Sequence, residues 1–218
     1  MITVWGEGRG FKVVWLLEEM GLPYRLREVD MLAGVENDPE FLAINPAGFI
    51  PALQDGETVM VESIAILEYL MARYGPTPLA PDPNDPSFAA YQQFLHLGEA
   101  GMAVFVFVAV VSRMLAPEAE KDNWGARKSL SLFESRRGIV ARRLAQAPYM
   151  AGEGFTAADI SVTYALEFAE RTGFAALTEP EKAYMARTTG RPAYGRALDA
   201  CPGLKAWVAS LQAGGQSG

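Results

Sequence analysis

The chain has 218 residues, half of them apolar, and a formal charge of −7. This suits one or two compact domains with a buried core rather than a disordered chain. It weighs against nucleic acid, whose phosphates need a clustered positive field, and against an anionic membrane surface. Cys201 is the only cysteine and His96 the only histidine, so no internal disulfide and no thiolate or imidazole metal cluster of the usual kind can form.

MITVWGEG at the N-terminus lacks the basic start and apolar run of a secretory signal, so a cytoplasmic location is expected. The most apolar stretch, residues 102–111, is far short of the ~20 needed to span a bilayer and reads as buried helix.

ITVW, Ile2–Trp5, reads as a short strand. Val13, Leu16, Leu17 and Met20 follow at i, i+3, i+4 and i+7, one apolar face of a helix that Gly21 closes. Residues 24–29 alternate as a second strand, and 38–45 have room for one or two helical turns. PALQ and TVMV flank Asp55-Gly56-Glu57, a hairpin signal because Asp-Gly tolerates positive φ. A helix with Ile64, Leu67, Leu70, Met71 and Tyr74 on one side then runs to Gly75. The order is β-α-β-α-β-β-α.

Residues 75–86 hold five prolines in twelve positions, the clearest linker in the chain. Beyond it the sequence reads helical: one long helix over 87–115, then 121–146, 156–171, 179–189, and 192 to the end, with the last five residues frayed. The expected domains are 1–76, a linker at 77–86, and a helical domain at 87–218.

NPAGFIPAL and ESIAILEYL carry most of the chemical signal. Pro51 opens a hairpin strand, so it stands at an edge, a start or a bend. A cis bond there would turn the Ile50 main chain outward, ready to pair with an extended peptide; an ordinary trans proline is the alternative. Ser63 reads as the N-cap of the next helix, a place where hydroxyl, N–H groups and helix dipole favour a carboxylate. Glu62 beside it suits an ammonium group, so an α-amino acid would satisfy the pair. A plain cap beside a solvated Glu is the other reading.

GFKVVWLLEEMGLPY, NPAGFIPAL and DGETVMVESIAILEYLMARYG, in that order, resemble the N-terminal domain of cytosolic glutathione transferases. The proline-rich linker and helical remainder resemble the second domain. GEGFTAADI, residues 152–160, is similar to that domain's buried capping motif, with Thr156 and Asp159 in the N-cap and N3 relation. The resemblance implies a thioredoxin-like α/β domain followed by a C-terminal helical bundle, glutathione as co-substrate, and a homodimer. It implies that the bond before Pro51 is cis, that Ile50 pairs with the cysteinyl backbone of glutathione, and that Glu62 and Ser63 hold the γ-glutamyl group. The implied reaction transfers glutathione to a small apolar electrophile, as in detoxification. A non-catalytic binder of the same fold, or an interaction module that has lost the site, are the rivals.

Two departures stand out. Many relatives carry Ser, Tyr or Cys after the first strand, but the turn here offers Glu7, Gly8, Arg9 and Gly10. A carboxylate beside the thiolate would oppose it. Arg9, backbone N–H groups of residues 8–11, or both are the candidate stabilisers of the sulfur or of the glycyl carboxylate; a solvated Arg9 paired with Glu7 is the alternative. Phe49 stands where relatives often have Lys or Gln, and it cannot donate to that carboxylate. The acceptor site is expected between the domains, with Met102, Phe105 and Trp124 as candidate lining or as core. His96 and Glu99, at i and i+3, read as a surface or interface pair.

Overall fold

The computed structural model describes residues 1–31 and 33–206 and divides into two compact units. The first gathers Met1–Thr77 with the described residues from Arg191 onward; the second is Pro78–Gly190. The expected terminal fray lies outside the described residues.

In the first unit, β1 (Ile2–Trp5), β2 (Tyr24–Arg27), β3 (Ala52–Asp55) and β4 (Thr58–Val61) form one sheet in the order β2-β1-β3-β4. β1 pairs parallel with β2 and antiparallel with β3, and β3 pairs antiparallel with β4. The hairpin turns at Gly56, whose φ is 61°. β2 stops at Arg27, two residues short of the alternating pattern.

The short helix α2 (Pro39–Ile44) starts where Asp38 accepts the Phe41 N–H at 3.0 Å. The Asp38 carboxyl lies below its ordinary value, held first by that N–H and then by Arg27, whose Nη1 is 2.6 Å away. Phe41, on α2, packs with Trp5, Val29 and Ala52, and Ile50 and Val61 close the cluster.

Two longer helices complete this unit's α/β part, α1 (Phe11–Met20) and α3 (Ser63–Tyr74). The periodic pattern predicts one buried face for α1, yet every residue from Phe11 to Leu17 is buried, Lys12 included. A helix buried all round needs cover on both sides. The second cover is α9 (Pro192–Ala200), at the far end of the sequence. Tyr194 meets Phe11 and Trp15 edge-on, with ring centroids 5.4 and 5.0 Å apart. Arg191 pairs with Glu19 at 2.6 Å and Arg196 with Glu18 at 2.7 Å. The described residues from Arg191 onward thus pack with the first unit, where α1 offers α9 an aromatic and acidic face. The expected helix from 192 onward also breaks at Cys201, and residues 202–206 are helical again.

The second unit is helical. Its spine runs through α4 (Phe88–His96), a π-wound stretch (Leu97–Ala103) and α5 (Val104–Leu115). Sequence periodicity predicts one regular helix here. Instead the Val104 N–H reaches back to Glu99 O, five residues away. Gly98 lies against α7 (Ala157–Arg171) so closely that a Cβ would come within 2.5 Å of Ser161 main chain. By length and composition Phe88–Leu115 could cross a bilayer; Tyr91, Phe94, Leu95, Met102, Val106 and Ala109 are buried in it, while Phe107, Val108, Met114 and Leu115 are exposed, so the stretch expected to be buried is only partly so.

Around it stand α6 (Trp124–Leu144), which packs on α5, and α8 (Glu179–Thr189), which packs on α7. The capping box at the start of α7 is present: Thr156 N–H donates to Asp159 Oδ2 at 2.9 Å. Asp159 also accepts from Met150 N–H at 2.8 Å and from the Tyr184 hydroxyl at 3.0 Å. Burial pushes its carboxyl up to about 6.

Candidate functional site

Sheet register decides where the chemistry gathers. Trp5 stands opposite both Arg27 and Ala52, and Ala52 opposite Val61. The residues just beyond these, Gly6 after β1, Pro51 before β3 and Glu62 after β4, therefore emerge at one end of the sheet. Three segments far apart in sequence meet there by strand pairing alone.

The first is the turn after β1. Gly8–Gly10 form a 3₁₀ turn that runs straight into α1. Gly10 N–H donates to Glu7 O at 3.2 Å, and Phe11 N–H donates to Gly8 O. Two of the four expected backbone donors are thus engaged inside the turn and cannot serve a ligand. Arg9 is half-buried within it.

The turn is pressed against the second segment. Gly6 has φ 88°, and a Cβ there would sit 2.3 Å from Ile50 Cγ2. A Cβ on Gly10 would sit 3.4 Å from Pro51 Cβ. The Ile50–Pro51 bond is cis. Ile50 is half-buried and Pro51 buried.

The loop before Ile50 is built by Asn45, which sequence reasoning passed over. It is 4% exposed, accepts the Ala47 N–H at 3.2 Å and donates from Nδ2 to Phe49 O at 2.7 Å. Its signal was the Asn-Pro pair, a common turn opener.

The third segment is Glu62-Ser63. Ser63 is the first helical residue of α3, and Glu62 rather than Ser63 is the N-cap. Ile66 N–H donates to Glu62 O at 2.9 Å. Glu62 is exposed, with φ 71° and ψ 104°, the one non-glycine residue at positive φ among the described residues. Such a backbone costs on the order of 1–3 kcal/mol and persists where the surroundings over-determine it, typically at ligand clamps. Ser63 is 4% exposed at the positive end of α3.

Glu7 does not face this group as a bare charge. Its Oε2 accepts the Leu204 N–H at 2.8 Å. Burial, helped by the charge of Glu28, raises its carboxyl above the ordinary value, and the N–H groups of Leu204 and Gly203 offset only part of this. Cys201 nearby is fully buried, and burial with the Glu7 charge lifts its thiol to about 12.

The acceptor candidates, all in the second unit, part ways. Met102 is fully enclosed in the π-wound stretch, so it packs the core and cannot line an accessible pocket. Phe105 is half-buried with the Arg136 guanidinium 4.9 Å over its ring. Trp124 is 73% exposed at the start of α6. On α5, Phe107, Val108, Met114 and Leu115 are large, apolar and exposed, and the sequence reading missed them. They recur at helical spacing, a signal that periodicity alone does not separate from core. His96 closes α4, exposed, and Glu99 lies half-buried in the π-wound stretch. Among the described residues no group of three or more His, Cys, Asp or Glu could hold a metal ion.

Comparison with known proteins supports a family. The family model for the glutathione S-transferase N-terminal domain matches residues 2–72, and that for the C-terminal domain matches residues 138–210. Glutathione S-transferase 3 of Zea mays is 33% identical over 204 residues, spanning 88% of this chain and 89% of its own. Glutathione S-transferase GstB of Escherichia coli strain K12 is 28% identical over 167 residues, 74% of this chain and 80% of its own. The theta class glutathione S-transferase from Xanthomonas axonopodis pv. citri, solved with glutathione bound, superposes with a TM-score of 0.73 at 31% identity, over 90% of this chain and 96% of its own. With its thioredoxin-like sheet, its helical second part and this kinship along most of its length, the chain belongs to the glutathione S-transferase family.

Proposed function

We propose that this chain is a glutathione transferase that binds glutathione at the end of the sheet and passes it to a small apolar electrophile. One observation carries the reading: the β1–α1 turn, Ile50-Pro51 and the positive-φ Glu62 beside buried Ser63 converge at one sheet end. In the proposed complex Ile50 pairs with the cysteinyl main chain, Pro51 shapes the edge, and Glu62 and Ser63 take the amino and carboxylate groups of the γ-glutamyl end. Arg9 and the Gly8 N–H stabilise the thiolate. Phe105 and Trp124 are the residues proposed to meet the electrophile. A cytoplasmic homodimer is part of the same proposal.

The test is retention on immobilised glutathione followed by turnover of a reactive aromatic halide. Ser63→Ala is expected to weaken glutathione binding about 10- to 100-fold, the worth of a hydrogen bond to a charged group. Arg9→Ala is expected to raise the pKa of the bound thiol by about one unit, read from its thiolate absorbance. Unchanged binding in the first variant would remove Ser63 from the site. A second reading, binding without turnover, is favoured by the absence of Ser, Tyr or Cys in residues 7–10, and retention with no turnover would establish it.

A further inference from the structure

Glu7 is the residue of the β1–α1 turn that neither binding nor chemistry has absorbed. It grips the turn twice. Its carbonyl accepts the Gly10 N–H at 3.2 Å, and its side chain reaches across to accept the Leu204 N–H at 2.8 Å. The approach is close: a Cβ on Gly203 would lie 3.0 Å from Glu7 Oε2, so glycine leaves the carboxylate its place.

The far end of that bond is a firm post. Leu204 is 8% exposed, Cys201 is fully buried, and Lys205 N–H donates to Cys201 O at 2.9 Å. The α9 helix just before it is fixed to α1 by the Arg191–Glu19 and Arg196–Glu18 pairs and by Tyr194. Burial, the charge of Glu28 and the Gly203 and Leu204 N–H groups are the influences acting on the Glu7 carboxyl.

We propose that Glu7 is a positioning residue: by capping the main chain at Gly203 and Leu204 it holds the Gly6–Gly10 turn against Ile50 and Pro51, and so sets the turn's power to stabilise the thiolate. This rests on the glutathione reading for its second half only. A carboxylate in the turn is thereby given a structural task, its Oε2 engaged by the Leu204 N–H. The segment around Leu204 becomes a support for the site.

The test compares the wild-type chain with Glu7→Ala, which removes the acceptor, and Glu7→Gln, which keeps it. In the unliganded protein, Glu7→Ala is expected to speed amide exchange at Gly10, Phe11 and Leu204 at least tenfold, with α7 amides changing less than twofold. Glu7→Gln should stay within threefold of wild type. With glutathione, Glu7→Ala should raise the bound thiol's pKa by about one unit and change the dissociation constant less than threefold, and Glu7→Gln should restore the titration. Unchanged exchange at Gly10 and Phe11 overturns the tether. An identical thiol titration in all three proteins overturns its link to the sulfur. If the wild-type chain fails to bind glutathione, that reading fails instead, and the exchange pattern still decides the tether.

Discussion

Gly6 is the tightest single position in the site. Its φ of 88° suits glycine, and a Cβ would meet Ile50 Cγ2 at 2.3 Å. Gly6→Ala is expected to cost about 2–4 kcal/mol in denaturant unfolding, from strain and from displacing Ile50, and to weaken glutathione binding with it. Asp159 makes the opposite kind of demand, a buried carboxylate that collects four hydrogen bonds from Met150 N–H, Thr156 N–H, Thr156 hydroxyl and Tyr184 hydroxyl. Asp159→Asn turns an amide NH₂ toward one of these donors and is expected to cost about 3 kcal/mol.

The same residue has a pH signature. Its folded pKa is about 6 against an ordinary 3.8, so between those values the folded protein holds a proton that the unfolded chain has released. Stability from this group is therefore full below about pH 4 and falls as pH rises to about 6, by on the order of 3 kcal/mol. Urea unfolding midpoints measured across that window should show the slope in wild type and lack it in Asp159→Asn.

Among the elements, α1 and α9 depend on each other. Tyr194→Ala removes an aromatic ring packed on Phe11 and Trp15 and is expected to lower stability by about 3–4 kcal/mol, with a shift in the near-ultraviolet signal of Trp15. Little of this pairing was legible in the sequence. Strands, hairpin and most helix bounds were, because each rests on periodicity or turn chemistry within a dozen residues. The capping box of Thr156 and Asp159 was legible for the same reason. The all-round burial of α1, the π-wound stretch at Gly98 and the grip of Glu7 on Leu204 depend on partners 60 to almost 200 positions away, which local pattern does not register. Glu62 and Ser63 were found as a pair, but the cap moved by one residue, since backbone dihedrals and not residue type decide where a helix begins.

At the level of the whole molecule, family motifs mark Pro51, Glu62 and Ser63 in order, which is why the sequence offered them as a candidate site, whereas no motif marks the proposed contacts of an electrophile. Met102, one of three acceptor candidates by sequence, is fully buried, while Phe107, Val108, Met114 and Leu115 of α5 are exposed.

The first compact unit has a further consequence, because its two pieces are separated by all of Pro78–Gly190. During synthesis the β1–α3 portion leaves the ribosome with Phe11 and Trp15 still lacking the ring that will cover them. It must wait, half-finished, while more than a hundred residues emerge and begin to fold ahead of it. A stretch translated only after the whole second unit thus closes the first module made, and a nascent chain stalled before residue 191 would present a sticky aromatic face to whatever chaperone stands at the exit.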